Sequence, residues 1–273
     1  GVHSTRKQVE VALEAGRATR GNNVGAAEAT HAPFFELAQL YLGLTDNPVP
    51  PQSLQEIRTI YDSVVKDSID EKDLVGDTLF RTGPVVIEKR GGRVVHRGVE
   101  PEARIEELLE NMISLSKRDD VPELCRAALC HFLFEYVHPF YDGNGRTGRY
   151  LLALQLSHLL SQPTVLSLCH TISEHKSAYY KAFDTTEDRL NCSEGTHFVL
   201  MLLELVSVAQ EDLITDLAEK HLAVELLEQR LANLEAASEE RGRRLLGFGA
   251  ERELFSLPDG FTQREACEHL GVS

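Results

Sequence analysis

Residues 138–149 read His138-Pro139-Phe140-Tyr141-Asp142-Gly143-Asn144-Gly145-Arg146-Thr147-Gly148-Arg149. An apolar run, VPELCRAALCHFLFEYV, precedes them, and RYLLALQLSHLL follows. Pro139 has no backbone N–H and turns His138 away from helical angles, so a buried helix should end at His138-Pro139. Gly143-Asn144-Gly145 then opens a new helix at Arg146. A glycine-rich turn that feeds a helix N-terminus offers bare N–H groups and a positive dipole end, which suits an anion. Arg146 and Arg149 are three apart, close to one face of the new helix, and a guanidinium matches phosphate geometry. Asp142 beside a phosphate would be repelled unless a cation bridged the two, and Mg²⁺ prefers one or two carboxylates with phosphate oxygens. His138 titrates near neutrality and suits proton removal from a hydroxyl.

Taken singly, these features are ordinary: a histidine at a helix end, a glycine turn, an arginine pair on a helix face. Together they match HPFx(D/E)GNGRxxR at every fixed position, and on that pattern the chain resembles the Fic family of protein adenylyltransferases. The resemblance implies transfer of AMP from Mg-ATP to a Ser, Thr or Tyr hydroxyl of a protein target, with release of pyrophosphate and the chance of self-modification. It implies His138 as general base and Asp142 as the Mg²⁺ ligand. Gly143, Asn144, Gly145, Arg146 and Arg149 would bind the ATP phosphates, and Asn144 would also fix the loop. Tyr180, in HKSAYYKAF, matches a position on the adenine side. The Asn that often follows it in relatives is absent, and the corresponding spot looks like Glu187. The tract TGPVVIEKRGGRVVHRGV resembles the family's flap, with Val85, Val86 and Ile87 pairing with the target segment.

Outside the motif the chain reads as mainly helical. Residues 4–18 and 51–66 carry helical spacing, and Pro50-Pro51 punctuate the start of the second. Thr82–Val99 differs: two β-branched runs flank Gly91-Gly92, which predicts a β-hairpin. Helical patterns return after Pro101, and Pro122 suits the first turn of the helix before the motif. That helix is apolar on nearly every face and should be the buried central one. Leu213, Leu217, Val224, Leu227, Leu231 and Leu234 form an amphipathic stripe that packs on its own domain or on a second copy. ERGRRLLGFGAERE reads as a linker. FTQREACEHLGVS resembles the first helix and turn of a helix-turn-helix. The organisation expected is an N-terminal helical segment at 1–80, a Fic domain at 81–210, a helical extension at 211–246, and a partial winged-helix or helix-turn-helix piece at 247–273.

The formal net charge of −15 argues against broad nucleic-acid binding, which needs basic surface. No apolar run is long enough to span a bilayer and no secretory signal is visible. Five cysteines without a CxxC pair predict a reducing, cytoplasmic setting. The absence of an initiator Met predicts a piece or processed form of something longer. Many Fic proteins carry an inhibitory helix, (S/T)xxxE(G/N), whose Glu would pair with Arg149. GVHSTRKQVEVAL resembles the segment just after that Glu, and GRATRGN is a fainter candidate with Arg20 where Glu should stand. The expectation is a chain without this brake. A rival reading is a nucleotide-sensing transcriptional or interaction protein that uses the C-terminal piece, with DNA as its partner. A further one is AMP removal in a full-length form.

Overall fold

A computed structural model describes residues 40–41, 43–45, 49–66, 69–89, 92–233, 240–254 and 263–271. It divides into two compact units, Gly1–Ala209 and Gln210–Ser273. The helix expected at 4–18 and both candidate traces of an inhibitory segment lie outside the described residues.

In the first unit, helix α1 runs Leu54–Val65. Ser53 starts it, because its hydroxyl accepts from the Glu56 amide and satisfies one of the orphan first-turn donors. The Glu56 carboxylate in turn accepts from the Gln52 amide. Strands β1 (Val86–Lys89) and β2 (Arg93–Arg97) form an antiparallel hairpin. Gly92, at φ +76°, supplies the left-handed turn that the Gly-Gly pair predicted. Ile87 pairs with His96, and a bulge falls between Ile87 and Glu88.

Four helices follow in close succession: α2 (Glu102–Ser116), α3 (Glu123–Val137), α4 (Asn144–Leu156) and α5 (Gln162–Glu174). Helix α6 is Lys176–Thr186 and α7 is Thr196–Ala232. Helix α3 packs against both α2 and α4. Its lack of a polar face follows from that position: Ala127, Ala128, Phe134 and Val137 are all buried, in a core that also takes Ile57, Ile105, Leu109 and Phe198. The buried histidine on this helix is fully partnered. His131 stands between the Gly148 carbonyl at 3.1 Å and the Tyr179 hydroxyl at 2.7 Å. A carbonyl can only accept, so Nδ1 carries the proton and Nε2 accepts from Tyr179. Burial holds this imidazole down to about 3, and so neutral.

The second unit corrects one expectation. ERGRRLLGFGAERE is helix α8, Glu240–Leu254, and is no linker. Its glycines cost about 1 kcal/mol each against alanine, but packing overrides propensity. Gly247 faces buried Leu231, where a Cβ would make an ordinary contact at 3.6 Å. Phe248 stacks on His269 of α9 (Gln263–Leu270) with ring centroids 4.3 Å apart, and the Arg244 guanidinium donates to the His269 carbonyl. Gly271, at φ +69°, turns the chain after α9. Along the α7 stripe Leu213, Val224 and Leu227 are half-buried, Leu231 is buried and Leu217 is exposed. Leu234 lies outside the described residues. Among those residues, no helix is long and apolar enough to cross a membrane.

Candidate active site

Helix α3 ends at His138, whose backbone sits in the left-handed region at φ 51°, ψ 61°. A non-glycine residue held there costs about 1–3 kcal/mol, so the surroundings must hold it. They do so through Arg81, a buried side chain just ahead of the hairpin. Its guanidinium donates to the carbonyls of His138 at 2.7 Å, Gly83 at 2.8 Å, Val99 at 2.7 Å and Val137 at 3.3 Å. Its own amide donates to the Pro139 carbonyl at 3.0 Å. One arginine thus pins both the His138 turn and the root of the hairpin. Nothing in the sequence marked it, since an arginine among apolar residues usually reads as surface.

The His138 imidazole has Nδ1 3.2 Å from the Glu135 carbonyl. That acceptor assigns the proton to Nδ1 and leaves the Nε2 lone pair uncommitted by it. Burial is the main cause that lowers this histidine to about 4, so it is neutral at physiological pH.

The loop between the two helices is built around Asn144. Its buried side chain accepts from the Phe140 amide at 2.9 Å and donates to the Phe140 carbonyl at 2.7 Å. Phe140 itself stacks on Tyr61 of α1, rings 3.6 Å apart and 10° from parallel. Gly143 stands at φ +84° immediately before α4, which starts at Asn144, two residues earlier than Arg146. A Cβ there would lie 2.5 Å from Val65 Cγ1. First-turn amides of a helix have no intrahelical acceptor, so α4 presents them at this point.

Both arginines reach back to that turn. Positions built for a Cβ on Gly145 and on Gly143 lie 3.2 Å from Arg149 Nη1 and 3.7 Å from Arg146 Nη2. Arg146 also faces Asp142, with Nη2 to Oδ2 at 3.5 Å. Arg149 lies deeper. Burial opposes its charge, but Tyr179, Glu135 and Tyr41 more than offset this and raise it further. Asp142 is 40% exposed at the loop mouth, and its Oδ1 accepts from the Gly143 amide at 2.7 Å. It therefore offers a carboxylate beside the anion-binding turn, which fits a Mg²⁺ shared with phosphate oxygens. Among the described residues no group of three or more His, Cys, Asp or Glu is gathered for a metal.

Glu135 is a further member of the site. Its Oε1 is buried without a hydrogen-bond partner, and burial pushes the carboxyl up to about 7 against the Arg149 and His96 charges. Gly148 leaves it room: a Cβ there would lie 2.2 Å from that oxygen. A carboxylate in an apolar helix three residues before His138 is a signal that the sequence does carry. Tyr180 sits on α6 and is 54% exposed, with its ring edge-on to buried Tyr179. Val85 is half-buried, while Val86 and Ile87 are 40% and 38% exposed on β1. Glu187 bonds His96 of the hairpin.

The Fic/DOC family model matches residues 51–156. A crystal structure of a Fic family protein from Desulfovibrio desulfuricans G20 is similar in fold, with a TM-score of 0.57 and 18% identity. That match covers 98% of this chain and 76% of the other. Motif, fold and family match agree over residues 51–156, which form a Fic/DOC domain within this chain.

Proposed function

We propose that this transferase-family chain moves AMP from Mg-ATP to a Ser, Thr or Tyr hydroxyl of a protein, itself included. The observation that supports this best is the convergence of both guanidinia on the first turn of α4, next to a neutral histidine. Backbone amides of Gly145 and Arg146, with Arg149 and Arg146, would hold the triphosphate as a polyanion. Asn144 holds the loop with its side chain, so any contact of its own with phosphate would come from its backbone. Asp142 would hold Mg²⁺, which when bound neutralises phosphate charge.

His138 Nε2 accepts the target's hydroxyl proton as that oxygen attacks the α-phosphorus. The bond from the α-phosphorus to its bridging oxygen breaks, and pyrophosphate departs. Positioning and charge neutralisation supply most of the rate in such transfers. Glu135 lies within electrostatic reach of Arg149, and its carboxylate form offsets that arginine's charge.

The test is labelling with α-³²P-ATP and Mg²⁺, of the protein alone and of a lysate. His138→Ala should lose label by about 10²–10⁴-fold while it still binds ATP by calorimetry. Labelling at wild-type rate by this variant would remove His138 from the mechanism.

A further inference from the structure

The hairpin has two strands, and such a unit is marginal by itself. Its root is fixed where the Val99 amide donates to the Val137 carbonyl at 3.1 Å. Arg81 holds the same root through the Val99 and Gly83 carbonyls, and anchors at the root alone leave a strand free to pivot; another lies three residues from Val99 at His96. This side chain is 9% exposed. Nδ1 is 2.7 Å from Glu187 Oε2, at the C-terminal cap of α6, and Nε2 is 2.9 Å from the Tyr136 carbonyl of α3. The ring centroid is 5.9 Å from that of His138 and 5.7 Å from that of Tyr136.

Both partners of His96 are acceptors, so both bonds form when two protons are shared across the trio: an imidazolium with the carboxylate, or a neutral ring with a protonated Glu187. Charge-assisted bonds of this kind are the stronger class. Strand β2 is thereby tied to the last turn of α3 and to the end of α6, immediately beside the catalytic turn.

We propose that His96 and Glu187 form a latch that fixes the flap against His138, with His96 as a positioning residue for the transfer. This rests on the transferase reading above. An acceptor hydroxyl carried by the flap must meet the α-phosphorus and Nε2 together, and a displacement of about 1 Å from such geometry costs on the order of 10²-fold in rate. The latch also accounts for a carboxylate at 187, since an acidic side chain there anchors the imidazole.

Hydrogen exchange and labelling test it in the full chain. In His96→Ala and in Glu187→Ala, amides of residues 86–97 should exchange about tenfold faster or more, with the helical core unchanged. The double variant should be no faster than either single one, because one unit is removed in each case. Glu187→Gln should loosen the hairpin less than Glu187→Ala, since its amide still bonds Nδ1 but the charge assistance is lost. Labelling with α-³²P-ATP should fall in both alanine variants while calorimetric affinity for ATP holds. Unchanged exchange of the hairpin, or additive effects, would overturn the latch. A loosened hairpin with undiminished labelling would overturn the positioning role. If the wild-type chain does not label at all, the transferase reading fails, and the exchange measurement still decides whether the latch exists.

Discussion

His138 is under two opposing demands. Burial keeps it deprotonated, because the charged form loses its water, and a base must be empty to accept a proton. The same burial makes it a weak base, since a group held near about 4 has little pull on a hydroxyl proton. Nucleotide resolves the conflict in the proposed mechanism. Triphosphate charge arriving at the Gly145–Arg149 turn stabilises an imidazolium nearby and moves the histidine upward. Protein NMR of the imidazole should therefore show titration near about 4 in the free chain, well below the ordinary 6.5. With Mg²⁺ and a non-hydrolysable ATP analogue the midpoint should rise. A free-chain midpoint near 6.5, or no rise with nucleotide, would contradict this account. Glu135 is expected to respond in the same direction, its carboxyl being more readily protonated as anionic charge accumulates beside it.

At the scale of elements, the junction of α3 and α4 is governed by close approach. Gly143 combines a left-handed backbone with a Cβ position 2.5 Å from Val65 and 3.3 Å from Tyr61, both on α1. Gly143→Ala should cost about 2–4 kcal/mol from strain and overpacking together. That should lower the melting temperature by several degrees, at about 2–4 °C per kcal/mol for a unit of this size. Gly92→Ala has a similar φ but meets nothing within 4 Å, so it should lose only about 1 kcal/mol. Equal losses at the two positions would show that α1 does not press on the loop. The sequence made this junction legible because proline and glycine act locally: the end of α3, the turn and the start of α4 can be read within a few residues. The hairpin was legible for the same reason. The sequence did not disclose Arg81 or His96, nor that Glu187 pairs with His96; these partners lie between 2 and 91 residues apart. Long-range pairing of polar side chains leaves no period or spacing to read. Helix α8 was misread because its glycines and charges signal a break, whereas contacts with Leu231 and α9 determine its state.

Over the whole molecule, the residues assigned to the site and flap, from Arg81 to Glu187, lie in the first unit. The net charge of −15 repels a triphosphate at long range, and at physiological salt that field decays within about 8 Å. In the proposed mechanism nucleotide affinity must then come from short-range groups, which the amides and two arginines of α4 would supply. The same charge disfavours nucleic acid as the main partner, and the rival reading assigns DNA to the second unit. These alternatives separate on one deletion. A chain ended after Ala209 should fold, by circular dichroism, and should label with α-³²P-ATP at a rate comparable with the full chain. If it folds and binds ATP but no longer labels, then residues beyond 209 hold the target or complete the site, and the flap alone does not dock the acceptor. Full-length protein should show no retardation of random duplex DNA at about 150 mM salt, where binding without basic surface is too weak to register. A shift that disappears with the deletion, alongside intact labelling, would assign DNA binding to the second unit and leave the transfer chemistry with the first.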